Sequence, residues 1–139
     1  DLDRGLINEL PPKIGAPFVT FVPAVDDDGN DRPGIRPVEL AAPLATFTGW
    51  NPRHPDQGAG GDLMAMLGST LPFAATAAAR RASGDPRPSI EERYASRAAY
   101  LERVREAASR LVAERHMLAE DVDAVVERGG RLWDFIARA

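Results

Sequence analysis

All twelve prolines of this 139-residue chain lie at or before position 88, and nothing after Pro88 except Gly129-Gly130 opposes a helix. A proline inside a helix removes a backbone donor and clashes with the preceding turn. The last third can therefore be continuously helical, whereas the first part must be extended and rich in turns. This division predicts an α+β chain that is helix-rich overall, with short strands and a hairpin in its first third and helices after residue 62. It also predicts two segments of one portion: an extended, turn-rich segment over 1–61 and a helical segment over 62–139, neither an independent domain.

In the first segment, Phe18-Val19-Thr20-Phe21-Val22 reads as a strand from its β-branched and aromatic content. Asp26-Asp27-Asp28-Gly29-Asn30-Asp31 supplies tight-turn dipeptides. Gly34 to Leu40 alternates apolar and polar residues and is expected to be the returning edge strand, with Pro37 confining it to an edge. Pro43 to Trp50 reads as a further extended stretch, and Asn51 to Gly61 as a loop.

In the second segment, Asp62 is expected to cap a short helix over Leu63–Leu67 closed by Gly68. Pro72 is expected in the first turn of a helix that Gly84 stops. Ser89-Ile90-Glu91-Glu92 has the spacing of a capping box. Tyr94, Ala98, Leu101, Val104, Ala108 and Leu111 recur at intervals of three and four, which makes one apolar helical face. Ser96 is expected to restart that helix after a small kink. A last helix carries Val122, Val125, Val126, Leu132, Trp133 and Ile136, with a break expected at Gly129-Gly130.

Charge and composition exclude several functions. Lys and Arg total 17 against 21 Asp and Glu, for a net charge of -4. The bases after residue 62 alternate with acids along helical faces, as in Glu102-Arg103-Val104-Arg105-Glu106, so no basic footprint for nucleic acid forms. There is no cysteine, which removes disulfides, thiol nucleophiles and thiolate zinc sites. Absence of cysteine fits a cytoplasmic location. No apolar run reaches the roughly 20 residues of a membrane helix. Asp1-Leu2-Asp3-Arg4 has neither the basic nor the apolar part of a leader. A first residue other than Met implies a processed chain or part of a longer one. No nucleic-acid, membrane or cofactor partner is implied.

Motifs for chemistry are sparse. Gly68-Ser69-Thr70-Leu71 does not match the G-x-S-x-G turn that exposes a serine nucleophile, so Ser69 reads as a turn residue. His54 and His116 lie far apart, with no H-E-x-x-H. Asp26, Asp28 and Asn30 imitate the alternate oxygens of a calcium loop, but Asp31 stands where its glycine belongs and Pro37 where its glutamate belongs. Gly58-Ala59-Gly60-Gly61-Asp62 fits no phosphate-binding spacing. No catalytic residue and no metal ligand is assigned. The remaining candidates are Trp50, Asn51, Arg53 and His54, polar and stacking groups on a loop after an extended segment. Trp50 reads either as the wall of a site or as the rim of a core.

Three stretches taken together, Val22 to Arg36, Pro43 to Asn51 and Gly84 to Tyr94, resemble the C-terminal region of large bacterial α/β-hydrolase-domain proteins. The resemblance covers nearly the whole chain and implies the fold and chemistry of a serine esterase. It places the nucleophile elbow and the triad histidine upstream, so no triad residue transfers to this chain. It implies a structural role around the cleft, with Trp50, Asn51, Arg53 and His54 bordering the pocket. The partner implied is the upstream catalytic portion or a companion chain, through which a small ester would be met. Pro52 departs from the Gly-Trp-Asn-Leu-Arg run usual in those proteins. The alternative is a small helical binding module without enzymatic activity, presenting the helices of 97–137 to a partner.

Overall fold

The computed structural model describes residues 10–11, 23–32, 34–58 and 62–136. The chain is α+β. Along it run α1 (Val38–Ala41), β1 (Ala45–Thr48), β2 (Ser69–Pro72), α2 (Ala77–Ser83), α3 (Ile90–Arg93), α4 (Arg97–Ala113) and α5 (Val122–Ile136). Short 3-10 turns occupy Pro55–Gln57 and Ala119–Asp121.

The strands β1 and β2 are antiparallel, with Ala45 opposite Pro72 and Thr48 opposite Ser69. Beyond them the pairing resumes at Pro52 and Leu63. The Met64 amide donates to the Asn51 carbonyl at 2.7 Å and the Arg53 amide to the Asp62 carbonyl at 2.9 Å. Residues 45–53 and 62–72 thus form one interrupted hairpin arm. In the interruption, a Cβ on Gly68 would lie 2.2 Å from the Thr48 carbonyl oxygen, so only glycine permits the approach.

Three expected elements differ. Residues 34–40 do not return as a strand. Pro37, at φ -64° and ψ 164°, starts the one-turn helix α1, and Arg36 Nε donates to the Leu40 carbonyl at its far end. Residues 63–67 are not helical, because Met64 spends its amide across the arm. Pro72 ends β2 rather than starting a helix; Thr76 caps α2, its hydroxyl accepting from the Ala79 amide at 3.1 Å. The expected strand over 18–22 lies outside the described residues.

The helical part follows its caps. Gly84, at φ 69°, closes α2. Ser89 and Glu92 form the capping box of α3, and Ser96 caps α4 after the break at Tyr94. Past α4, Arg115 takes φ 65°. Its amide bonds to the Val112 carbonyl and the His116 amide to the Leu111 carbonyl, the reciprocal pair that ends a helix in a left-handed residue. In contrast to the expected break, α5 runs unbroken through Gly129 and Gly130. A Cβ at Gly129 would meet both Val104 methyls at 3.3 Å. Gly129 therefore lets α4 and α5 pack closely, and that packing outweighs its poor helix propensity.

The core lies between these layers. Leu44 and Ala45 from the arm, Phe73, Ile90, and Tyr100, Val104 and Ala108 of α4 are all buried. Tyr94, Tyr100 and Trp133 stack with centroids 5.1 to 6.1 Å apart. The Tyr94 hydroxyl donates to the Pro43 carbonyl at 3.0 Å, and burial pushes its pKa up to about 12.

Candidate functional site

The four residues singled out from the sequence follow one another along the hairpin arm. The Trp50 carbonyl accepts from the Thr48 hydroxyl at 2.6 Å and from the Ser69 hydroxyl at 3.0 Å. Its indole is half exposed. Asn51 and Arg53 hold the facing chain through their backbones, as described above. The Arg53 side chain reaches the Gln57 carbonyl at 3.3 Å. His54 starts the 3-10 turn, its Nδ1 accepting from the Asp56 amide at 3.3 Å. Trp50 and Asn51 sit at the arm's interruption; Arg53 and His54 bracket the turn beyond it. Among the described residues no hydrogen bond joins one of these four side chains to another; those of Arg53 and His54 turn to Gln57 and Asp56.

Nor do they assemble a nucleophile with a base. Abstraction of a serine proton needs an imidazole nitrogen within hydrogen-bond reach. The Ser69 hydroxyl is engaged by a carbonyl and His54 Nδ1 by an amide. His116 lies in the helix-ending turn after α4.

Sequence spacing did not reveal the densest polar cluster, which lies where the 26–31 turn meets β1 and α3. Asp26 Oδ1 accepts from the amides of Asp28 and Asn30 at 3.0 and 2.9 Å, and Arg36 pairs with Oδ2. Burial pushes the Asp26 carboxyl up, but the Arg36 bond and the two amides outweigh it and hold the pKa below the ordinary value. Asp28 receives both terminal nitrogens of Arg93, with Nη1 at 2.9 Å from Oδ2. The Arg93 guanidinium lies 4.2 Å over the Phe73 ring, with that of Arg87 at 5.0 Å from the same ring. Arg87 also bonds Asp85, the Thr46 hydroxyl at 2.7 Å and the Leu71 carbonyl at 3.1 Å. The Arg87 hydrogen bond lowers Asp85 to about 2.

This cluster accounts for the apparent calcium loop. The carboxylates of Asp26 and Asp28 are directed at guanidinium and amide donors. The Asn30 amide turns inward to β1, with Nδ2 donating to the Ala45 carbonyl at 3.2 Å and Oδ1 accepting from the Phe47 amide at 2.8 Å. Their oxygens serve the fold, and among the described residues no set of three acidic or histidine groups converges on a metal position.

A second signal passed over was the absence of charge. Residues 63–79 carry no ionisable side chain, in a chain that is 27% charged. Much of that run is exposed, including Leu63, Met66, Leu67 and Leu71. A small cleft of about 20 Å³ also opens between α1, α4 and α5 beside Val38, Tyr100 and Gly129, room for about one water molecule.

With this geometry in view, comparison with known proteins adds one match. No curated protein and no solved structure matches the chain. Residues 3–127 match the family described as alpha/beta hydrolase domain. The match takes in the hairpin arm, the arginine cluster and the helices as far as the start of α5, and on that extent the chain belongs to the alpha/beta hydrolase domain family.

Proposed function

We propose that this chain is the C-terminal part, or a subunit, of a bacterial, cytoplasmic α/β-hydrolase-like serine esterase, and that it acts structurally around the cleft. The catalytic serine and histidine belong to the upstream portion or to a companion chain. Trp50, Asn51, Arg53 and His54 border the pocket where a small ester is met. One observation carries this reading. The chain belongs to a hydrolase family, yet the hydroxyl of Ser69 and the Nδ1 of His54 are both spent on backbone groups of the arm. Acyl transfer needs an activated nucleophile and an oxyanion hole, and these groups are better suited to holding a loop in shape.

The competing reading, a non-enzymatic helical module using 97–137 as its partner surface, has less support. Tyr100, Val104 and Leu111 of α4 are buried in a core packed against Val125, Leu132 and Trp133 of α5, so the apolar faces are turned to each other.

The test is to treat the purified chain with a short-chain activated ester and a fluorophosphonate probe. No turnover and no labelled serine is the expected result. Stoichiometric labelling of any serine, abolished by its replacement with alanine, would overturn the structural reading.

A further inference from the structure

Among the described residues five arginines are half-buried: Arg36, Arg53, Arg80, Arg87 and Arg93. Four of them face a carboxylate, respectively Asp26, Glu92, Asp85 and Asp28 for Arg36, Arg80, Arg87 and Arg93. Among the described residues none pairs with Arg53. Its Nη2 donates to the Gln57 carbonyl at 3.3 Å, and its Nε is shut off from solvent without an acceptor. Arg80 Nε, also without a well-aligned hydrogen bond, at least lies 2.9 Å from a Glu92 carboxylate oxygen. Asp62 stands opposite Arg53 in the arm, but it meets Arg53 through the main chain, its carbonyl accepting the Arg53 amide at 2.9 Å. A buried donor left unpaired is costly, and more so when it is charged, so this edge of Arg53 is built for an acceptor that the described residues do not supply.

We propose that Arg53, with the side-chain amide of Asn51 beside it, binds a carboxylate, and that the small ester met at this border carries one. The second clause rests on the esterase reading above; the carboxylate site itself does not.

The geometry of the guanidinium selects the ligand. Its Nε and Nη2 form a fork that matches the two oxygens of a carboxylate. The same fork is in use elsewhere in the chain, where Arg87 presents Nε and Nη2 to Asp85 and Arg97 presents them to Asp134. On Arg53 the fork carries only the long bond to Gln57. That carbonyl belongs to the exposed turn Pro55–Gln57. A carboxylate that moves the turn aside replaces one weak acceptor with two charged ones.

Asn51 and Arg53 are two positions apart in the extended stretch that pairs through Pro52 with Leu63, so their side chains leave the same face. Both are half-buried, whereas Trp50, Pro52 and His54 are exposed. The Asn51 carbonyl is taken by the Met64 amide, and its side-chain amide makes no hydrogen bond among the described residues. It can donate to the carboxylate beside the guanidinium. Charge limits the ligand further. Asp56 and Asp62 flank the site and oppose a doubly charged phosphate, while a single negative charge matches one guanidinium.

The test is a nitrogen–proton NMR titration of the 139-residue chain, followed at the Arg53 Nε–Hε resonance and at the backbone amides of Asn51, Arg53 and Gln57. Monomethyl succinate, an ester with a free carboxylate, should shift these signals saturably. Dimethyl succinate, the same ester without the charge, should not. Arg53→Gln should weaken the binding about tenfold or more and Asn51→Ala about threefold, read from the remaining amides. Arg53→Lys should recover only part of the loss, because an ammonium lacks the fork. Asp62→Asn should leave the binding in place. Five results would overturn the proposal: a drift that never saturates, an equal shift with dimethyl succinate, binding retained by Arg53→Gln, competition by chloride or phosphate as strong as by acetate, or much tighter binding of N-acetylaspartate N-methylamide, which would give the site to an acidic side chain of the upstream portion. Binding is read here without turnover. A fluorophosphonate-labelled serine would strike the structural reading and leave this site standing, and loss of saturable binding would do the reverse.

Discussion

Asn30 and Phe47 are joined as two strands would be. The fully buried side-chain amide of Asn30 accepts from the Phe47 amide and donates to the Ala45 carbonyl, so it pairs with the edge of β1 that β2 leaves open. Replacing Asn30 with alanine strands a donor and an acceptor together. An unsatisfied buried polar group costs about 1–3 kcal/mol, and Asn30→Ala should lose about 2–4 kcal/mol in urea unfolding at unchanged slope. Asn30→Asp keeps the acceptor but brings a charge to a buried place, and should do no better.

Arg93 clamps Asp28 with two nitrogens while stacking on Phe73. Lysine can neither form the fork nor lie flat on the ring. Arg93→Lys should therefore recover less than half of what Arg93→Ala loses. Combined with Asp28→Asn in a double-mutant cycle, Arg93→Ala should show a coupling of about 1 kcal/mol or more, measured by chemical denaturation.

Two glycines should respond in opposite directions. At Gly68 an added Cβ meets backbone, the Thr48 carbonyl oxygen at 2.2 Å. At Gly130 it meets the far end of the long Arg97 side chain at 2.7 Å, where the guanidinium pairs with Asp134 near the surface. Gly68→Ala should destabilise the chain by more than about 2 kcal/mol through the displaced backbone. Gly130→Ala should stabilise it by about 0.5–1 kcal/mol, because alanine is the better helix former. Thermal melts of the two variants decide this.

Acid should weaken the fold in a defined window. Arg87 lowers Asp85 to about 2, Ser89 lowers Glu92, and Asp26 is held low by Arg36 and two amides despite its burial. A carboxyl with a folded pKa below its unfolded value binds protons first in the unfolded chain. The stabilisation is complete above the ordinary carboxylate range and is lost as pH falls from about 4 toward about 2. Urea midpoints at a series of pH values should drop across that window, and Asp85→Asn should flatten the slope.

The helical half was legible because its signals are local. A capping box, a restart at Ser96 and a stop at Gly84 involve groups a few residues apart, and the structure places them as read. Gly129-Gly130 misled because its role is set by Val104 and Arg97, distant in sequence. The arm misled for the same reason. Nothing near Leu63 announces that Asn51 will take the Met64 amide, or near Pro37 that the alternating residues after it will coil into one helical turn. Among the candidate residues, the loop position of Trp50 to His54 was readable from Pro and Gly content. Their partners were not, because Ser69 and Met64 reach them from the other side of the arm.

The pairing of Asp28 with Arg93 spans 65 positions, and that of Thr46 with Arg87 spans 41. The α4–α5 contacts instead close a loop of a few residues between Ala113 and Val122. Closing a longer loop costs more chain entropy before any contact repays it, and folds built on distant contacts form more slowly. The helical pair is thus placed to form early and serve as the template. The aspartate turn locks last, once α3 has brought Arg93 to meet it.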